Sequence, residues 1–233
     1  MNKILAVIPA RGGSKGLPRK NIMEIDGYPL IQYTINAALT AKNLTDVIVS
    51  TDDKEIAQIS IELGAQVPFM RPNELASDMS ESAPVIIHAL KEMEEIRGYH
   101  YDAIIMLQPT CPLRSSKHIE KALELFFSKD CDSLVSVSSV GGVHPFRMKR
   151  MVGNELVSFI DQGFWDMRPR QVLPSVYIRN GSIYLIRRET LLNQGELIGK
   201  KCLGLVMSDE ESINIDTPLD FKLAEILLKE QQK

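Results

Sequence analysis

Hydrophobic and polar positions alternate along this chain in blocks: short aliphatic runs, then turns, then longer stretches with apolar residues at helical spacing. The aliphatic runs predict six strands, at 4–8, 47–50, 104–108, 134–137, 183–186 and 203–206. The longer stretches predict five helices, near 30–41, 53–64, 82–97, 116–128 and 218–230. Strands that are apolar throughout and alternate with helices are typical of a mainly parallel sheet covered on both faces. The pattern therefore predicts a doubly wound α/β fold, in which ligands bind beyond the carboxyl ends of the strands.

Two of the predicted helices have recognisable start signals. Asp52 with Glu55, and Thr217 with Asp220, each match the spacing of a capping box, in which two side chains satisfy free backbone N–H groups. Pro218 would stand at the first helical position, where a missing N–H leaves no hydrogen bond unmade. Both helices are therefore expected to begin at these residues.

The alternation lapses between residues 141 and 179. This segment has little helical periodicity, contains the single Trp of the chain and is rich in basic residues and prolines. We therefore interpret 1–233 as one domain with an insertion at 141–179. The aromatic residues expected to be exposed on it are Phe146, Phe159, Phe164 and Trp165. Such a segment either packs on a second subunit, giving a homodimer, or folds over its own core as a long surface loop.

The composition is that of an ordinary globular protein, with 44% hydrophobic and 24% charged residues and a formal net charge of −3. The acidic balance argues against nucleic acid as a partner, because nucleic-acid-binding domains normally carry a basic surplus. No apolar run approaches the roughly 20 residues of a membrane-spanning helix, and Pro9 interrupts the first apolar run before it could serve as a signal peptide. The three cysteines have neither metal-type nor disulfide-type spacing. A cytoplasmic protein with reduced thiols and no membrane contact is expected.

A cluster of positive charge stands out against this acidic background. The segment AVIPARGGSKGLPRKNI, residues 6–22, contains four cations and three glycines but no acid. It matches neither the Walker loop G-x-x-x-x-G-K-[ST] nor the dinucleotide fingerprint G-x-G-x-x-G. One interpretation is a solvated turn after the first strand. The other is a loop whose glycines expose backbone amides to an anion such as a triphosphate, while Arg11 and Lys20 supply charge and Lys15 and Arg19 only raise the local potential.

The segment RPNELASDMSES, residues 71–82, is polar and irregular and leads into the third predicted helix. Segments of this kind often present backbone groups and hydroxyls to a small ligand. Ordinary turn and capping chemistry would produce the same composition. The sequence leaves both interpretations open.

The third predicted strand ends at Gln108, where Pro109 and Pro112 prevent a helix or sheet from continuing. Gln108 is thus expected at the carboxyl edge of the sheet, where its amide could orient a substrate hydroxyl. Cys111 lies in the same turn, but no His follows nearby that could act as its base. A buried structural thiol is therefore favoured over a nucleophile.

Asn214 and Asp216 lie two positions apart, so an extended backbone would point both side chains to one face. Their oxygens could hold a hard divalent cation such as Mg²⁺, which completes its octahedron with waters and phosphates. Alternatively, Asp216 only favours the N-terminus of the last helix. The four His residues show no paired spacing, so neither a zinc centre nor a Ser-His-Asp arrangement is suggested.

Taken together, in their order and spacing, seven segments of this chain resemble the CMP-sialic acid synthetases, or N-acylneuraminate cytidylyltransferases, and the related legionaminic acid cytidylyltransferases. The segments are AVIPARGGSKGLPRKNI, STDD, RPNELASD, LQPTCPLR, RPRQVLP, RNGSIY and INIDTPLD. The resemblance implies a nucleotidyltransferase fold of Rossmann-like type whose insertion makes a homodimer. It also implies a reaction that needs Mg²⁺ or Mn²⁺, in which the 2-hydroxyl of a nine-carbon 2-keto sugar acid attacks the α-phosphate of CTP, giving the CMP-sugar and pyrophosphate.

The same resemblance implies roles for individual residues. The implied catalytic residues are Arg11, Lys20 and Asp216. The implied nucleotide-binding residues are Ala10, Arg11, Gly13, Lys20, Asn21, Arg71, Ser80 and Ser82. The implied sugar-binding residues are Gln108 and Arg170, and the planar guanidinium of Arg170 would suit the sugar carboxylate. The implied metal ligands are Asp216 and Asn214.

Two residues depart from the family pattern. Asn214 stands where the family has a first metal-binding carboxylate, so Asp216 is expected to be the main protein ligand. Arg179 stands where the family has Pro, so the sugar-side contacts are less well defined than the nucleotide-side contacts. The alternatives to a sialic or legionaminic acid substrate are a cytidylyltransferase for pseudaminic acid or Kdo, and a non-catalytic module that binds CTP.

Overall fold

The computed structural model of the protein describes residues 2–13, 16–77, 79–161 and 163–231. Its strands are β1 Ile4–Pro9, β2 Glu24–Ile25, β3 Tyr28–Pro29, β4 Asp46–Ser50, β5 Ala103–Leu107, β6 Ser133–Ser139, β7 Lys149–Val152, β8 Glu155–Ser158, β9 Tyr177–Arg187 and β10 Cys202–Val206. Its α-helices are α1 Leu30–Thr40, α2 Lys54–Glu62, α3 Ser82–Arg97, α4 Ser116–Ser128, α5 Arg188–Gln194 and α6 Pro218–Gln231. Across these described ranges, every helix is too short or too polar to cross a membrane.

Six strands form the central sheet, in the order β10-β6-β9-β5-β1-β4. β1 is parallel to β4 and β5, and β10 is parallel to β6, whereas β9 is antiparallel to both of its neighbours. The predicted doubly wound, mainly parallel α/β fold is confirmed. Because β9 runs in the opposite direction, its first residues lie at the same edge of the sheet as the last residues of β5.

Alternate residues of each strand pack on opposite faces of the sheet, as the pleat of a strand requires. In β1, Ile4, Ala6 and Ile8 join a core formed with α1, α2 and α4, while Leu5 and Val7 join a core formed with α3 and α5. Both faces are therefore covered, which explains why the strand sequences are apolar throughout. A third, smaller cluster holds α6 against the loop that follows β1.

The structure contains elements that the hydrophobic pattern did not indicate. β9 begins six residues before the predicted strand at 183–186, in a stretch whose side chains are partly exposed. The short helix α5 and the antiparallel pairs β2–β3 and β7–β8 were also not predicted. These elements are short or half-exposed, so their hydrophobic periodicity is weak.

One of the two predicted capping boxes is wrong. The side chain that caps α2 belongs to Asp53, whose carboxylate accepts from the N–H groups of Glu55 and Ile56, while Asp52 Oδ1 accepts from Gly12 N at 3.0 Å. Because the two aspartates are adjacent, the spacing of a capping box alone does not distinguish them. Asp52 contacts the loop after β1, which leaves Asp53 to cap the helix. At α6 the predicted box is present: Thr217 N donates to Asp220 Oδ2 at 2.8 Å, and Asp220 N donates to Thr217 Oγ1 at 3.3 Å.

The predicted insertion, 141–179, contains the β7–β8 hairpin, which pairs only with itself and lies outside the main sheet. Its last three residues already belong to β9, so the core sheet begins earlier than predicted. Phe159, Phe164 and Trp165 are more than half exposed, whereas Phe146 is half-buried and packs edge-on against the ring of His144.

A buried carboxylate ties β4 to the end of α3. Asp46, at 5% exposure, accepts hydrogen bonds from Tyr101 Oη at 2.6 Å, from Tyr99 Oη at 3.0 Å and from the guanidinium of Arg97. Burial alone would raise the pKa of Asp46, but these donors outweigh it and hold the pKa below its usual value. The carboxylate therefore stabilises the fold while it is ionised.

We expect Asp46→Asn to lower the free energy of unfolding by about 2–3 kcal/mol at pH 7, because it replaces a charged acceptor of buried hydrogen bonds. A depressed pKa means that this contribution is complete above the unfolded pKa and is lost as the pH falls through the folded pKa. The difference between the two proteins should therefore narrow below about pH 4. Urea unfolding at several pH values measures it, with the exposed Asp209→Asn as the matched control. A constant difference from pH 7 to pH 3 would contradict the assignment.

Candidate active site

A cleft of about 370 Å³ lies at the carboxyl ends of β1 and β5, where this fold places ligands. The structure brings ten of the predicted site residues to its walls: Arg11, Gly13, Lys20, Asn21, Arg71, Ser80, Ser82, Gln108, Asn214 and Asp216. They come from the loop after β1, the segment before α3, the end of β5 and the segment before α6. Motifs that are far apart in sequence therefore face one another across a single cleft.

A glycine stands where the loop after β1 touches the loop after β4. Gly12 N donates to Asp52 Oδ1 at 3.0 Å, and a Cβ on Gly12 would lie only 2.6 Å from Asp53 Oδ2. At Gly13, by contrast, a Cβ would have no neighbouring atom within 4 Å, and this residue lines the cleft. The two glycines thus allow a close backbone contact on one side and leave space for a ligand on the other.

Two further residues of this loop, Ala10 and Asn21, are buried and fix its backbone through hydrogen bonds. Ala10 is fully buried and its N–H donates to the carbonyl oxygen of Ser50 at 3.0 Å, so it does not line the cleft. Asn21 is 8% exposed, and its Nδ2 donates to the carbonyl oxygen of Arg11 at 3.0 Å. Ala10 was predicted among the nucleotide-binding residues; its position leaves it the role of fixing the backbone next to Arg11.

Two arginines carry positive charge into the cleft. Arg11 Nη1 donates to the carbonyl oxygen of Ser77 at 2.7 Å, which ties the first loop to the segment before α3. Arg71 is 6% exposed; its Nε donates to Ser50 Oγ at 3.1 Å and its Nη2 to the Ser50 carbonyl. Burial lowers the pKa of Arg71 to about 10, so the side chain is still a cation at neutral pH.

Lys20 and Asp216 form an ion pair across the cleft. Lys20 Nζ lies 2.9 Å from Asp216 Oδ1 and donates to the carbonyl oxygen of Ile215 at 2.6 Å. Asn214 Nδ2 donates to the other carboxylate oxygen of Asp216 at 3.0 Å. A Cβ on Gly16 would lie 2.7 Å from the Asp216 carbonyl oxygen, so only glycine lets the loop approach this closely. The Asp216 side chain is nevertheless 66% exposed and accessible from the cleft.

The donor set around Asp216 fits a hard divalent cation that a nucleotide helps to hold. Asp216 provides a carboxylate and Asn214 an amide, both on the cleft wall. Among the described residues, no group of three or more His, Cys, Asp or Glu side chains is placed to hold a metal ion. Mg²⁺ commonly takes one or two protein oxygens and completes its shell with substrate phosphates and water, so these residues suffice for it.

Arg114 lies buried beneath Gln108. Its Nη1 donates to the carbonyl oxygens of Gln108 at 3.2 Å and Ser182 at 2.7 Å, and its Nη2 donates to Thr34 Oγ1 at 2.6 Å. All these acceptors are neutral, and burial lowers the pKa of Arg114 to about 10. The guanidinium thus fixes the backbone from which the Gln108 side chain projects.

Gln108, Gly181 and Asn214 meet at one end of the cleft. A Cβ on Gly181 would lie 2.7 Å from Gln108 Oε1 and 3.7 Å from Asn214 Cγ, and the φ of 81° also favours glycine. Cys111 is fully buried beside them, and its Sγ lies 3.7 Å from Asn214 Oδ1. Burial raises the pKa of the Cys111 thiol to about 11, so it is protonated and structural, as the sequence indicated.

A second cavity, of about 300 Å³, adjoins the cleft and shares Glu81, Ser82 and Gln108 with it. Its remaining walls come from α3, from the sheet and from the segment after α5: Ala83, Met106, Arg179, Tyr184, Gly195, Glu196, Leu197 and Ile198. The lining is mixed, with polar residues such as Arg179 and Glu196 and apolar residues such as Met106, Leu197 and Ile198. It is large enough for a small ligand that reaches the cleft through the shared wall.

Two of the cations considered in the sequence, Arg170 and Arg19, do not reach the cleft. Arg170 is exposed in the short turn Arg170–Val172 of the insertion and lines neither cavity. Arg19 turns away from the cleft and pairs with Asp53 at 2.5 Å and with Glu55. Lys15 lies outside the described residues. Among the described residues of the first loop, Arg11 and Lys20 carry the charge at the cleft.

Sequence reasoning missed several residues that line the cleft, among them Ser77, Glu81 and Thr110. All three lie within or next to segments that were singled out, but none has a side chain that stands out by its chemistry. Glu81 precedes the first residue of α3, so the start of that helix was the available signal. Leu75 and Val85 add apolar surface to the same wall.

Known proteins resemble this chain in sequence over most of its length. The model of the family described as cytidylyltransferase matches residues 5–161. A CMP-N,N'-diacetyllegionaminic acid synthase of Legionella pneumophila is 34% identical, covering 99% of this chain and 98% of that protein. The post-translational flagellin modification protein B of Campylobacter coli is 36% identical, covering 99% of this chain and 97% of that protein. An N-acylneuraminate cytidylyltransferase of Escherichia coli is 34% identical over 95% of this chain but only 51% of its own length.

Among solved structures, a CMP:2-keto-3-deoxy-manno-octonic acid synthetase complexed with CTP has a TM-score of 0.74 and 21% identity, covering 98% of this chain and 99% of that chain. A 4-diphosphocytidyl-2C-methyl-D-erythritol synthase from Anaerococcus prevotii has a TM-score of 0.67 and 13% identity, with the same coverage. At these identities the likeness establishes the fold alone.

The fold and the cleft are those of a nucleotidyltransferase. The match over most of its length, together with full-length relatives above 30% identity, places this chain in the cytidylyltransferase family. It is accordingly an enzyme that uses CTP, and the predicted resemblance is confirmed.

Proposed function

We propose that this protein activates a nonulosonic acid of the N,N'-diacetyllegionaminic acid type with CTP, releasing pyrophosphate and forming the CMP-sugar. The observation that carries the proposal is the pair of adjoining cavities: a cationic cleft that suits a triphosphate and a second cavity that shares Ser82 and Gln108 with it. A transfer reaction between a nucleotide and a sugar needs two such sites that meet at the reacting atoms.

The nucleotide is assigned to the larger cleft. Arg11, Lys20 and Arg71 provide charge there, and the amides near Gly13 can approach the phosphates. The N-terminus of α3 lies at the same wall through Ser82, where the helix dipole favours an anion. Three cationic side chains, backbone amides and a helix N-terminus thus contribute positive potential to one cleft within a chain of net negative charge.

The sugar acid is assigned to the second cavity. A ligand seated there would reach the cleft at Gln108, whose amide can accept or donate a hydrogen bond to a sugar hydroxyl. Met106, Leu197 and Ile198 give the cavity an apolar side, which suits acyl groups better than it suits bare hydroxyls. A diacylated nine-carbon acid is therefore preferred over Kdo, which has no acyl group.

The reaction itself requires positioning and charge. The anomeric 2-hydroxyl of the sugar forms the new P–O bond at the α-phosphate, loses its proton, and displaces pyrophosphate. Negative charge grows on the phosphates as the bond forms, and Arg11 and Lys20 stand where they can stabilise it. Asp216, with Asn214 beside it, would hold the Mg²⁺ (or Mn²⁺), which supplies additional positive charge to the phosphates when bound.

We choose the sugar acid from the names of those relatives whose length matches the length of this chain. Two proteins named CMP-N,N'-diacetyllegionaminic acid synthase, from Legionella pneumophila and Campylobacter jejuni, are 34% and 36% identical and are covered over at least 96% of their length. The pseudaminic acid cytidylyltransferase of Campylobacter jejuni is 31% identical over a similar span and marks the main competing substrate.

The test is a panel of sugar acids assayed for pyrophosphate release with CTP and Mg²⁺. We expect N,N'-diacetyllegionaminic acid to have the highest kcat/KM, ahead of N-acetylneuraminic acid, pseudaminic acid and Kdo. Pseudaminic acid as the best substrate would refute the sugar assignment but not the chemistry. No release from any of the four would favour the alternative of a non-catalytic CTP-binding module.

We also propose that the protein is a homodimer built through the insertion. Large apolar side chains that are at least half exposed are concentrated there: Val143, Met151, Val152, Leu156, Phe159, Phe164, Trp165, Met167 and Val172. Apolar surface gathered on one projecting segment usually marks a protein interface. Its burial between two copies would remove this surface from water.

Phe159→Glu is expected to convert such a dimer to a monomer, because a charge would be buried in the apolar interface. Sedimentation velocity at micromolar concentration should give twice the 26.1 kDa chain mass for the unchanged protein and the single mass for the variant. Leu219→Glu, at an exposed position on α6, is the matched control and should remain dimeric. A monomeric unchanged protein would contradict the proposal.

A cytoplasmic location accompanies this function. Cys111, Cys131 and Cys202 are all free thiols, which is the usual state of cysteine in a reducing compartment. Labelling of Cys202, the exposed thiol, in intact cells would report the compartment.

A further inference from the structure

The peptide unit between Arg11 and Gly12 is held from both sides. Its carbonyl oxygen accepts from Asn21 Nδ2 at 3.0 Å. Its N–H, on Gly12, donates to Asp52 Oδ1 at 3.0 Å. Because a peptide unit is planar and its C=O and N–H point in opposite directions, the two hydrogen bonds together fix the orientation of the plane. The residues on either side of this N–H, Arg11 and Gly13, both line the larger cleft.

The loop after β1 needs an external support of this kind. Glycine has the most backbone freedom of all residues, so a loop with glycines at 12, 13 and 16 loses much conformational entropy when it adopts one conformation. Asp52 lies 40 positions further along the chain and follows the buried strand β4, so the sheet sets its position. The adjacent Asp53 has other partners, because its carboxylate caps α2 and pairs with Arg19.

The negative charge of Asp52 also acts on the cations of the cleft. Burial lowers the pKa of Arg71; the charge of Asp52 opposes this shift, and the charge of Arg11 adds to it. The carboxylate would therefore repel a triphosphate bound between these arginines. The charge of Asp52 and its hydrogen bond to Gly12 thus have opposite expected effects on nucleotide binding.

We propose that Asp52 is a positioning residue for the triphosphate of CTP. It holds the peptide between Arg11 and Gly12 so that the loop is already arranged for the phosphates before the nucleotide binds, which removes the cost of ordering the loop from the binding free energy. Asp52 acts through Gly12 and not through contact with the nucleotide. The inference rests on the proposed function, which assigns CTP to the larger cleft.

The first experiment measures the Kd for CTP by calorimetry with Mg²⁺ present. Asp52→Ala should raise this Kd about tenfold, because the N–H of Gly12 loses a charged acceptor. Asp52→Asn keeps an acceptor oxygen and should bind CTP within about threefold of the unchanged protein. Removal of a repelling charge would by itself strengthen binding in both variants, so the direction of the change in Asp52→Ala separates the hydrogen bond from the charge.

Asp132→Ala is the matched control for Asp52→Ala. Asp132 is also partly buried, and its Oδ2 accepts from the backbone N–H of Lys201 at 2.8 Å. It precedes β6, which runs parallel to β5, and therefore lies at the edge of the sheet opposite the cleft. Asp132→Ala should leave the Kd for CTP within about twofold.

The second experiment examines the loop directly by NMR, with selective ¹⁵N-glycine labelling. The amide of Gly12 should exchange with solvent slowly in the unchanged protein and in Asp52→Asn, and at least about tenfold faster in Asp52→Ala. Cytidine, which has no phosphate, should bind to the unchanged protein and to Asp52→Ala with Kd values within about twofold of each other. A general loss of stability would not separate CTP from cytidine.

Unchanged or tighter binding of CTP by Asp52→Ala overturns the inference and leaves the proposed function standing. An equal loss of affinity for CTP and cytidine also overturns it, and so does a rapidly exchanging Gly12 amide in the unchanged protein. Loss of CTP affinity in Asp52→Ala, in a protein that releases no pyrophosphate with any sugar acid, would contradict the proposed function and support the role of Asp52. The two failures can therefore be told apart.

Discussion

Asp216→Ala is expected to lower kcat by about a thousandfold or more, because it removes the carboxylate of the cleft that we propose as the main metal ligand. The KM for CTP should rise much less, since Arg11 and Arg71 still bind the nucleotide. Stopped assays of pyrophosphate release across a range of Mg²⁺ concentrations measure the effect. The side chain is 66% exposed, so the melting temperature should change little.

Asn214→Asp is the companion variant to Asp216→Ala. It restores the second carboxylate of the family pattern, so turnover should persist and half-maximal activity should be reached at a lower Mg²⁺ concentration. In the structure Asn214 donates to Asp216, so the new carboxylate would also lose that hydrogen bond and repel its neighbour. Substantial activity in Asp216→Ala would refute the metal assignment, whatever Asn214→Asp does.

Lys20→Ala is expected to lower kcat by about 100- to 1000-fold, with a smaller rise in the KM for CTP. The Lys20 ammonium lies 2.9 Å from Asp216 Oδ1, and only 12% of the side chain is exposed, so water solvates its charge poorly. A contact that strengthens as charge develops on the phosphates lowers the barrier more than it strengthens binding. Steady-state kinetics with CTP varied at saturating sugar acid give both constants.

The neighbouring residue provides the control for Lys20. Arg19 has the same charge, but it points to Asp53 and Glu55 and has a φ of 58°, which Asn tolerates better than Ala. Arg19→Asn should therefore keep kcat and the KM for CTP within about threefold. A Lys20→Ala variant in which only the KM changes would show that Lys20 binds the ground state and the transition state equally.

The fold could be predicted from the sequence wherever a segment is buried along its whole length. The predicted strand at 4–8 is apolar throughout and the one at 104–108 is apolar up to its last residue, and the structure has β1 and β5 there to within a residue at either end. The direction and full length of β9 could not be predicted, because hydrophobic periodicity carries no information about strand order. Helix α5 has only seven residues, too few for a periodic pattern to emerge.

The candidate site, like the fold, could be predicted from the sequence only in part. Charged and amide side chains such as Lys20, Gln108 and Asp216 could be identified, because their chemistry is conspicuous at the end of a strand or before a helix. Ala10 is buried beside the exposed part of the loop because adjacent residues of an extended segment point in opposite directions, and the sequence did not indicate which of them face the cleft. The second cavity could not be predicted from the sequence, because its walls come from α3, β5, β9 and the segment after α5, which are far apart along the chain.

The buried Arg114 has a consequence for how the site meets a charged substrate. Its hydrogen bonds go to carbonyl and hydroxyl oxygens, and the ion pairs of the described residues include none with this guanidinium. Arg114 therefore keeps an uncompensated positive charge beneath Gln108, within the protein and close to the cleft. Since this charge is in place before any ligand arrives, it would favour an anion in the cleft without further reorganisation of the protein.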